Sequence, residues 1–562
     1  MPLFAQAAPL PVLPPNPAVL NAEQLQAATD TVHAVPANQL ATADPKWFSQ
    51  AAQILERNRW ENEEGSYFRE LHKLLPELFF QTQGFVLFFL AVATIYWLMP
   101  RRWNTVRVWV LVIASFHFYA AWNASLAFLV TGTATLDYFF ARAIEWTANR
   151  RTKFAIMWTS IGMNLGILCY FKYRGFFLNE LHDGLVRLGA HPAFDRFTPL
   201  DILIPFGISF YTFEAVSYAV DVYKSKVRAE RSLPHFLLFI LFFPHLVAGP
   251  IVRAGDFLKQ AHRVKRWNWV RIQIGVQFVL LGLFKKLAIA DRMAVFCDGV
   301  PGNPGPLLDP ASYNASALWL AVLAYALRIY ADFSGYSDMA VGTAHLLGYR
   351  LTQNFNMPYL SPNVGEFWRR WHISLSSWLR DYLYIPLGGS RGSAFATNRN
   401  LMITMILGGL WHGANWPYLI WGAIHGGLLV GHRQFRAFAE NRPTLRAVLE
   451  STPGTVARVA LTFFCVSLCW VFFRPDLDKA LITLERMFTL AQSGQSLALH
   501  NRSLWWTVAF VFGCHLLVAH GIWQWLWART PPVFVGFGYA VTLTVAMVLA
   551  PEQGQTFIYF TF

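Results

Sequence analysis

A chain of 562 residues in which 55% are hydrophobic, 16% aromatic and only 14% charged is too apolar for a soluble enzyme and reads as a polytopic membrane protein. The net charge of +14 does not make it a nucleic-acid binder. The basic residues sit beside apolar spans (Arg101, Arg102 and Arg107; Arg150, Arg151 and Lys153; Lys224, Lys226, Arg228 and Arg231; Arg263, Lys265, Arg266 and Arg271), which is how cytoplasmic loops are marked, with membrane lipid or an anionic donor as their partners.

Residues 1–82 form an extension unlike the rest, rich in Ala and Pro up to Ala43. Asp44 and Pro45 open an amphipathic helix, and a second short helix over Gly65 to Leu75 ends before Pro76. Both are expected at the membrane surface or against a partner. Residues 83–562 form the transmembrane core. Its first strong span, Gly84 to Met99, is closed by Pro100-Arg101-Arg102, which places the N-terminus outside the cytoplasm.

Further candidate spans follow at 106–122, 125–143, 154–171, 200–222, 233–250, 272–295, 314–331, 336–348, 400–412, 414–432, 455–474, 503–526 and 533–550. The segment from Ile202 to Val222 is broken by Pro205 and Gly207, while 336–348 and 400–412 are brief. These pieces read as re-entrant helices lining a protein-enclosed cavity. The fold class is therefore all-α, a bundle of about ten to twelve transmembrane helices plus re-entrant ones. The five cysteines show no CxxC or Cys/His spacing; all are expected as buried small hydrophobes, with no disulfide and no metal site.

The hydrophilic island from Thr352 to Asn400 interleaves Trp368, Trp371, Trp378, Tyr382 and Tyr384 with Arg369, Arg370 and Arg380. It reads either as an interfacial helix with an aromatic belt or as the floor of a membrane-inserted funnel. Two of the sixteen histidines stand out. His372 follows Trp371, and His412 follows Trp411 inside Leu401 to Gly431, a run without Asp, Glu, Lys or Arg. A polar ring there is costly. It is either a hydrogen-bonded packing residue or a base able to take a proton from an attacking hydroxyl. Asp332 and Ser334, in YADFSGYSD, are read as structural partners or as groups that orient a histidine. His425 is assigned to packing or support of His412, His245 to a re-entrant loop, and PLGGSRGS at 386–393 to a plain turn.

Seven segments in order carry a family resemblance: IPFGISFYTFEAVSYAVDVY at 204–223, FFPHLVAGPIVRAGDFL at 242–258, GLFKKLAIADRMA at 282–294, YADFSGYSDMAVGTAHLLG at 330–348, NFNMPYLSPNVGEFWRRWHISLSSWLRDYLYIPLGG at 354–389, GGLWHGANWPYLIWGAIHG at 408–426 and FIYFTF at 557–562. Together they resemble the membrane-bound O-acyltransferase (MBOAT) family, in its bacterial branch that acetylates alginate and related polysaccharides. The resemblance implies a bundle pinched thin around a central tunnel, with donor and acceptor approaching from opposite faces. It implies that His412 is catalytic and that His372 lies near the acyl path on the cytoplasmic side. Trp371, Arg369, Arg370, Trp411, Asn415, Asp332 and Ser334 are the expected substrate-binding residues.

The expected activity moves acetyl or another short acyl group from a cytoplasmic thioester, such as acetyl-CoA, toward hydroxyls of an exported polysaccharide. A periplasmic acetyltransferase partner is expected to relay it, with no permanently bound cofactor and no metal. The inner membrane is the expected location. D-alanyl transfer from an acyl carrier protein is the alternative within the family, and a transporter or flippase the alternative outside it, although no inverted repeat relates the two halves.

Overall fold

The computed structural model describes residues 27–28, 31, 80–190, 194, 205–300, 303–474, 476–496, 502–550 and 557–558. The two amphipathic helices expected in the N-terminal extension, and the last four residues of the closing motif, lie outside them. The chain divides into two compact units, Met1–Phe88 and Phe89–Phe562. In the first, Phe80 packs edge-on against Phe85 with centroids 4.7 Å apart, and the Thr82 hydroxyl accepts from the Phe85 N–H at 3.2 Å.

Helix α1 (Gln83–Leu98) runs into the second unit and stops at Pro100, whose ring cannot continue it. A bend of 115° leads into α2 (Asn104–Ala120). Arg107, expected as a lipid-facing flank charge, is instead buried and donates to the carbonyls of Met99 and Lys265. Helices α3 (Ala124–Trp146) and α4 (Arg150–Leu168) start where Asn123 and Asn149 cap them. Buried Asp137 joins the two, accepting from Ser160 Oγ at 2.7 Å and Asn164 Nδ2 at 2.9 Å. A π-helical turn, Cys169–Tyr173, carries α4 into α5 (Arg174–Arg187).

Helix α6 (Ile208–Tyr223) begins only after Gly207, at φ 72°, matching the break expected there. The 233–250 candidate is two short buried helices, α7 (Leu233–Leu241) and α8 (Phe243–Leu246). Phe242 leaves helical geometry two residues before Pro244, whose ring forbids a straight continuation. Helix α9 (Ala254–Ala261) precedes α10 (Trp269–Phe284), which passes through a π-helical Lys285–Ala290 into α11 (Asp291–Asp298).

The centre of this unit is α12 (Ala315–Leu346), 32 residues long, with 83% of its most apolar window buried. The two spans expected at 314–331 and 336–348 are therefore one helix. The polar run between them is not a break, because its charges are matched across the α10–α11 segment. Lys285 Nζ lies 2.6 Å from Asp338, and Lys286 Nζ lies 2.8 Å from Asp291 and 2.9 Å from Asp332. Asp332 also accepts from the Ile558 N–H at 2.7 Å. The close approach depends on facing glycines. A Cβ on Gly282 would run into the Gly335 carbonyl, and one on Gly342 would lie 2.6 Å from the Gly275 carbonyl.

The remaining helices are α13 (Val364–Arg370), α14 (Ile373–Leu379), α15 (Ala394–His412), α16 (Trp416–Glu440), α17 (Pro443–Glu450), α18 (Thr452–Cys469), α19 (Leu477–Phe488), α20 (Arg502–Ala519), α21 (Ile522–Arg529) and α22 (Pro532–Leu549). Helix α15 starts six residues before the brief 400–412 segment expected from hydropathy, since Ser393 caps it and Arg399 does not interrupt it. The 503–526 candidate is split at Gly521, φ 70°.

Among the described residues, seven helices are long and apolar enough to cross a membrane, or up to eight if the bent pair is one span. All five cysteines are free. Cys297 and Cys469 are buried, but against expectation Cys465 and Cys514 are only half-buried and Cys169 is exposed. A helix face turned to lipid meets surroundings as apolar as a protein core, so a small hydrophobe gains little by facing inward.

Candidate active site

The site is built on the hairpin of α15 and α16. The two helices cross antiparallel so closely that a Cβ on Gly409 would collide with the Tyr418 carbonyl, and one on Gly422 with the Met405 carbonyl. Only glycine fits at these crossings. The turn is extended at Gly413, and Asn415 caps α16 by accepting from the Trp416 N–H at 2.8 Å. His412, the last residue of α15, is thus held at the hairpin tip. Its ring lies 4.9 Å from Trp411, 5.2 Å from Trp421 and 4.9 Å from Phe473, in a buried aromatic cage.

His372 comes from another part of the chain, the turn between α13 and α14. Its φ is +44°, the left-handed region that a non-glycine residue occupies at a cost of about 1–2 kcal/mol. Asn354 secures that turn: its carbonyl accepts from Ile373 N–H at 2.9 Å and its side-chain oxygen from Ser374 N–H at 3.2 Å. Asn354 Nδ2 in turn donates to Ser337 on α12 at 3.1 Å. The His372 ring is fully buried, 4.6 Å from Phe333 and 6.4 Å from the His412 ring. Neither of its nitrogens bonds another residue among those described.

Of the other expected residues, Trp411 belongs to this cluster, 6.0 Å from His372 and with its indole N–H on the Ser209 carbonyl at 3.4 Å. Trp371 is buried one layer away, against Trp470 at 4.9 Å and Phe355 at 5.0 Å. Asp332 and Ser334 flank Phe333 on α12, but Asp332 turns to Lys286 and the Ile558 amide rather than to a histidine. Arg369 and Arg370 share Glu366, at 3.1 and 2.9 Å. Arg369 lines a groove of about 640 Å³ with His432, Arg436, Arg446 and Arg458, at the end of the hairpin away from His412. His425 is buried among Trp421, Trp368 and Phe367.

Two features escaped sequence reasoning. Glu214 on α6 is buried beside His245, at 3.3 Å, and also accepts from the Val252 N–H at 2.8 Å. Lys172, in the π-helical turn after α4, donates to the carbonyls of Trp411 and His412 at 2.6 and 3.0 Å. In the sequence Lys172 passes for an ordinary flanking charge just beyond an apolar span. Its one distinguishing sign is its place among aromatic residues, in YFKYRGF.

A family model described as MBOAT, the membrane-bound O-acyltransferase family, matches residues 211–473, a range that contains both His372 and His412. A protein of Pseudomonas aeruginosa named probable alginate O-acetylase AlgI is 41% identical over 73% of this chain and 75% of its own length. The Helicobacter pylori protein named peptidoglycan O-acetyltransferase is 36% identical over 70% of this chain and 74% of its own. A Bacillus subtilis teichoic acid D-alanyltransferase is more distant, at 26% over 50% and 71%. With both histidines inside the family match and such identity over most of both chains, this chain belongs to the membrane-bound O-acyltransferase family and is a multi-pass O-acyltransferase.

Proposed function

We propose that this enzyme transfers acetyl, or another short acyl group, from a cytoplasmic thioester to hydroxyls of an exported polysaccharide, from the inner membrane and through a periplasmic partner. The observation that carries the reading is the pair of buried imidazoles 6.4 Å apart, one on each of two short-range turns held by glycine crossings and by Asn354. The names of the relatives, an alginate O-acetylase and a peptidoglycan O-acetyltransferase, support the acceptor class.

In the reaction, His412 takes the proton of the acceptor hydroxyl as its oxygen attacks the thioester carbonyl carbon. The tetrahedral intermediate collapses, the C–S bond breaks, and the imidazolium returns the proton to the leaving thiolate. An ester and a free thiol result. General-base help of this kind contributes about 10²–10⁴-fold, and holding both reactants in line supplies much of the remainder. His372 lines the acyl path.

The donor enters from the basic end of the hairpin. There the groove holds four arginines alongside Glu440 and Glu450, which pair with Arg436 and Arg446, and its guanidinium groups can meet the phosphates of a thioester donor. From His432 in that groove to Trp421 beside His412 the distance along α16 is about 16 Å at 1.5 Å per residue. An extended pantetheine arm, at ~1.2 Å per backbone bond, has a similar reach.

The test is reconstitution in proteoliposomes with radiolabelled acetyl-CoA, comparing wild type, His412→Ala and His372→Ala. Transfer should fall about 10³-fold in His412→Ala while the protein still inserts. Label that reaches acceptor only when a periplasmic protein is added would establish the relay, whereas full activity in His412→Ala would refute the mechanism. Strict dependence on an acyl carrier protein would replace CoA as donor.

A further inference from the structure

We infer that Lys172 is a positioning residue for this reaction: its ammonium clamps the carbonyl end of α15 and so fixes the imidazole of His412 in the site. The inference rests on the functional reading above, and it concerns a residue 240 positions before His412 that packing brings to it.

Lysines near the ends of apolar spans extend their stems toward water. Lys172 does the opposite. Its Nζ donates to Trp411 O at 2.6 Å, to His412 O at 3.0 Å and, more weakly, to Ser209 Oγ at 3.3 Å. An ammonium has three N–H groups, and three oxygens receive them. The ring of Trp411 lies beneath the charge, 5.8 Å from centroid to Nζ. No carboxylate pairs with Lys172 among the described residues.

Each partner is explained by local structure. The last carbonyls of a helix have no N–H of their own helix to accept from, and they form its negative end. At α15 a glycine-capped reverse turn would normally close them. Gly413 is instead extended, with φ −159° and ψ 145°, because the chain must enter the tight hairpin to α16. Lys172 supplies the missing donors. The π-helical Cys169–Tyr173 aims it there, since the wider turn shifts the residues after it relative to an unbroken helix. Ser209 adds a second tie, through its carbonyl to the Trp411 indole at 3.4 Å.

The peptide units that Lys172 holds set the Cα–Cβ direction of His412. A misplacement of about 1 Å at a reacting group costs on the order of 10²-fold in rate. The clamp therefore acts through His412 and not on substrate.

The experiment uses full-length protein in proteoliposomes. Lys172→Met keeps the stem and removes the donors. It should lower kcat about 10²-fold with the KM for the acyl donor within about twofold. Hydrogen exchange of peptides covering residues 408–416 should quicken. If Lys172→Met does not accumulate, Lys172→Leu, which likewise removes every donor, is read in the same two measurements.

Unchanged kcat, or unchanged exchange at 408–416, in whichever variant accumulates overturns the inference. His412→Ala run in parallel separates the two readings. If it is inactive while Lys172→Met is as active as wild type, only the clamp fails. If His412→Ala itself transfers acetyl at the wild-type rate, the functional reading fails and the clamp with it.

Discussion

The α10–α12 seam and the α15–α16 hairpin are built alike and used differently. Both are antiparallel crossings at which glycine lets one backbone approach another. In the seam every buried charge meets its opposite, Lys285 with Asp338 and Lys286 with Asp291 and Asp332. The hairpin tip is built instead from rings and carbonyl oxygens. His412 and His372 face aromatic rings, and Lys172 faces carbonyl oxygens. Matched charges in an apolar interior hold helices together, whereas the imidazoles set among rings are the groups that the proposed transfer uses.

The contrast can be broken by variants on either side. The largest effect should come from Lys286→Met, which leaves Asp291 and Asp332 buried without their cation and costs about 3–5 kcal/mol. Membrane yield and thermal unfolding in detergent should both collapse, and a near-wild-type Tm would show that the seam is not held by charge. His412→Ala should do the reverse: kcat falls about 10³-fold while Tm stays put.

Two glycines then sharpen the distinction. Gly282→Ala and Gly409→Ala each overpack a crossing, at about 1–3 kcal/mol. Only the second should also depress the kcat of the folded fraction, because it moves the turn that carries His412. Equal kcat for both would remove the functional difference between the two crossings. The smallest effect belongs to Arg369→Ala, exposed and already sharing Glu366. Loss of one charge-assisted contact there, about 1 kcal/mol, should raise the donor KM roughly fivefold with kcat unchanged. A steady KM would take Arg369 out of the donor's route.

What could be read in the sequence was whatever a local pattern carries. Apolar length marks the spans, Pro205 and Gly207 mark the start of α6, and the Trp-His pairs mark both histidines. What could not be read depends on partners far away along the chain. YADFSGYSD looks like a break until Lys285 and Lys286 are seen to neutralise its carboxylates. Gly275 and Gly282 look like ordinary helix glycines until Gly342 and Gly335 face them. The left-handed backbone of His372 has no compositional sign at all, since its support comes from Asn354. Lys172 was missed for the same reason: its meaning lies in two carbonyls more than 200 positions later.

The bond from the Ile558 amide to Asp332 joins groups 226 positions apart. At a synthesis rate of about 5–20 residues per second, the central helix waits on the order of 10–50 s for that amide to be made. During this interval Lys286 alone, among the described residues, answers the charge of Asp332, so the insertion machinery and lipid must tolerate a helix whose polar complement is still incomplete. Assembly of the enzyme in the membrane is thereby coupled to translation, since this tie to the central helix can form only once residue 558 has been made.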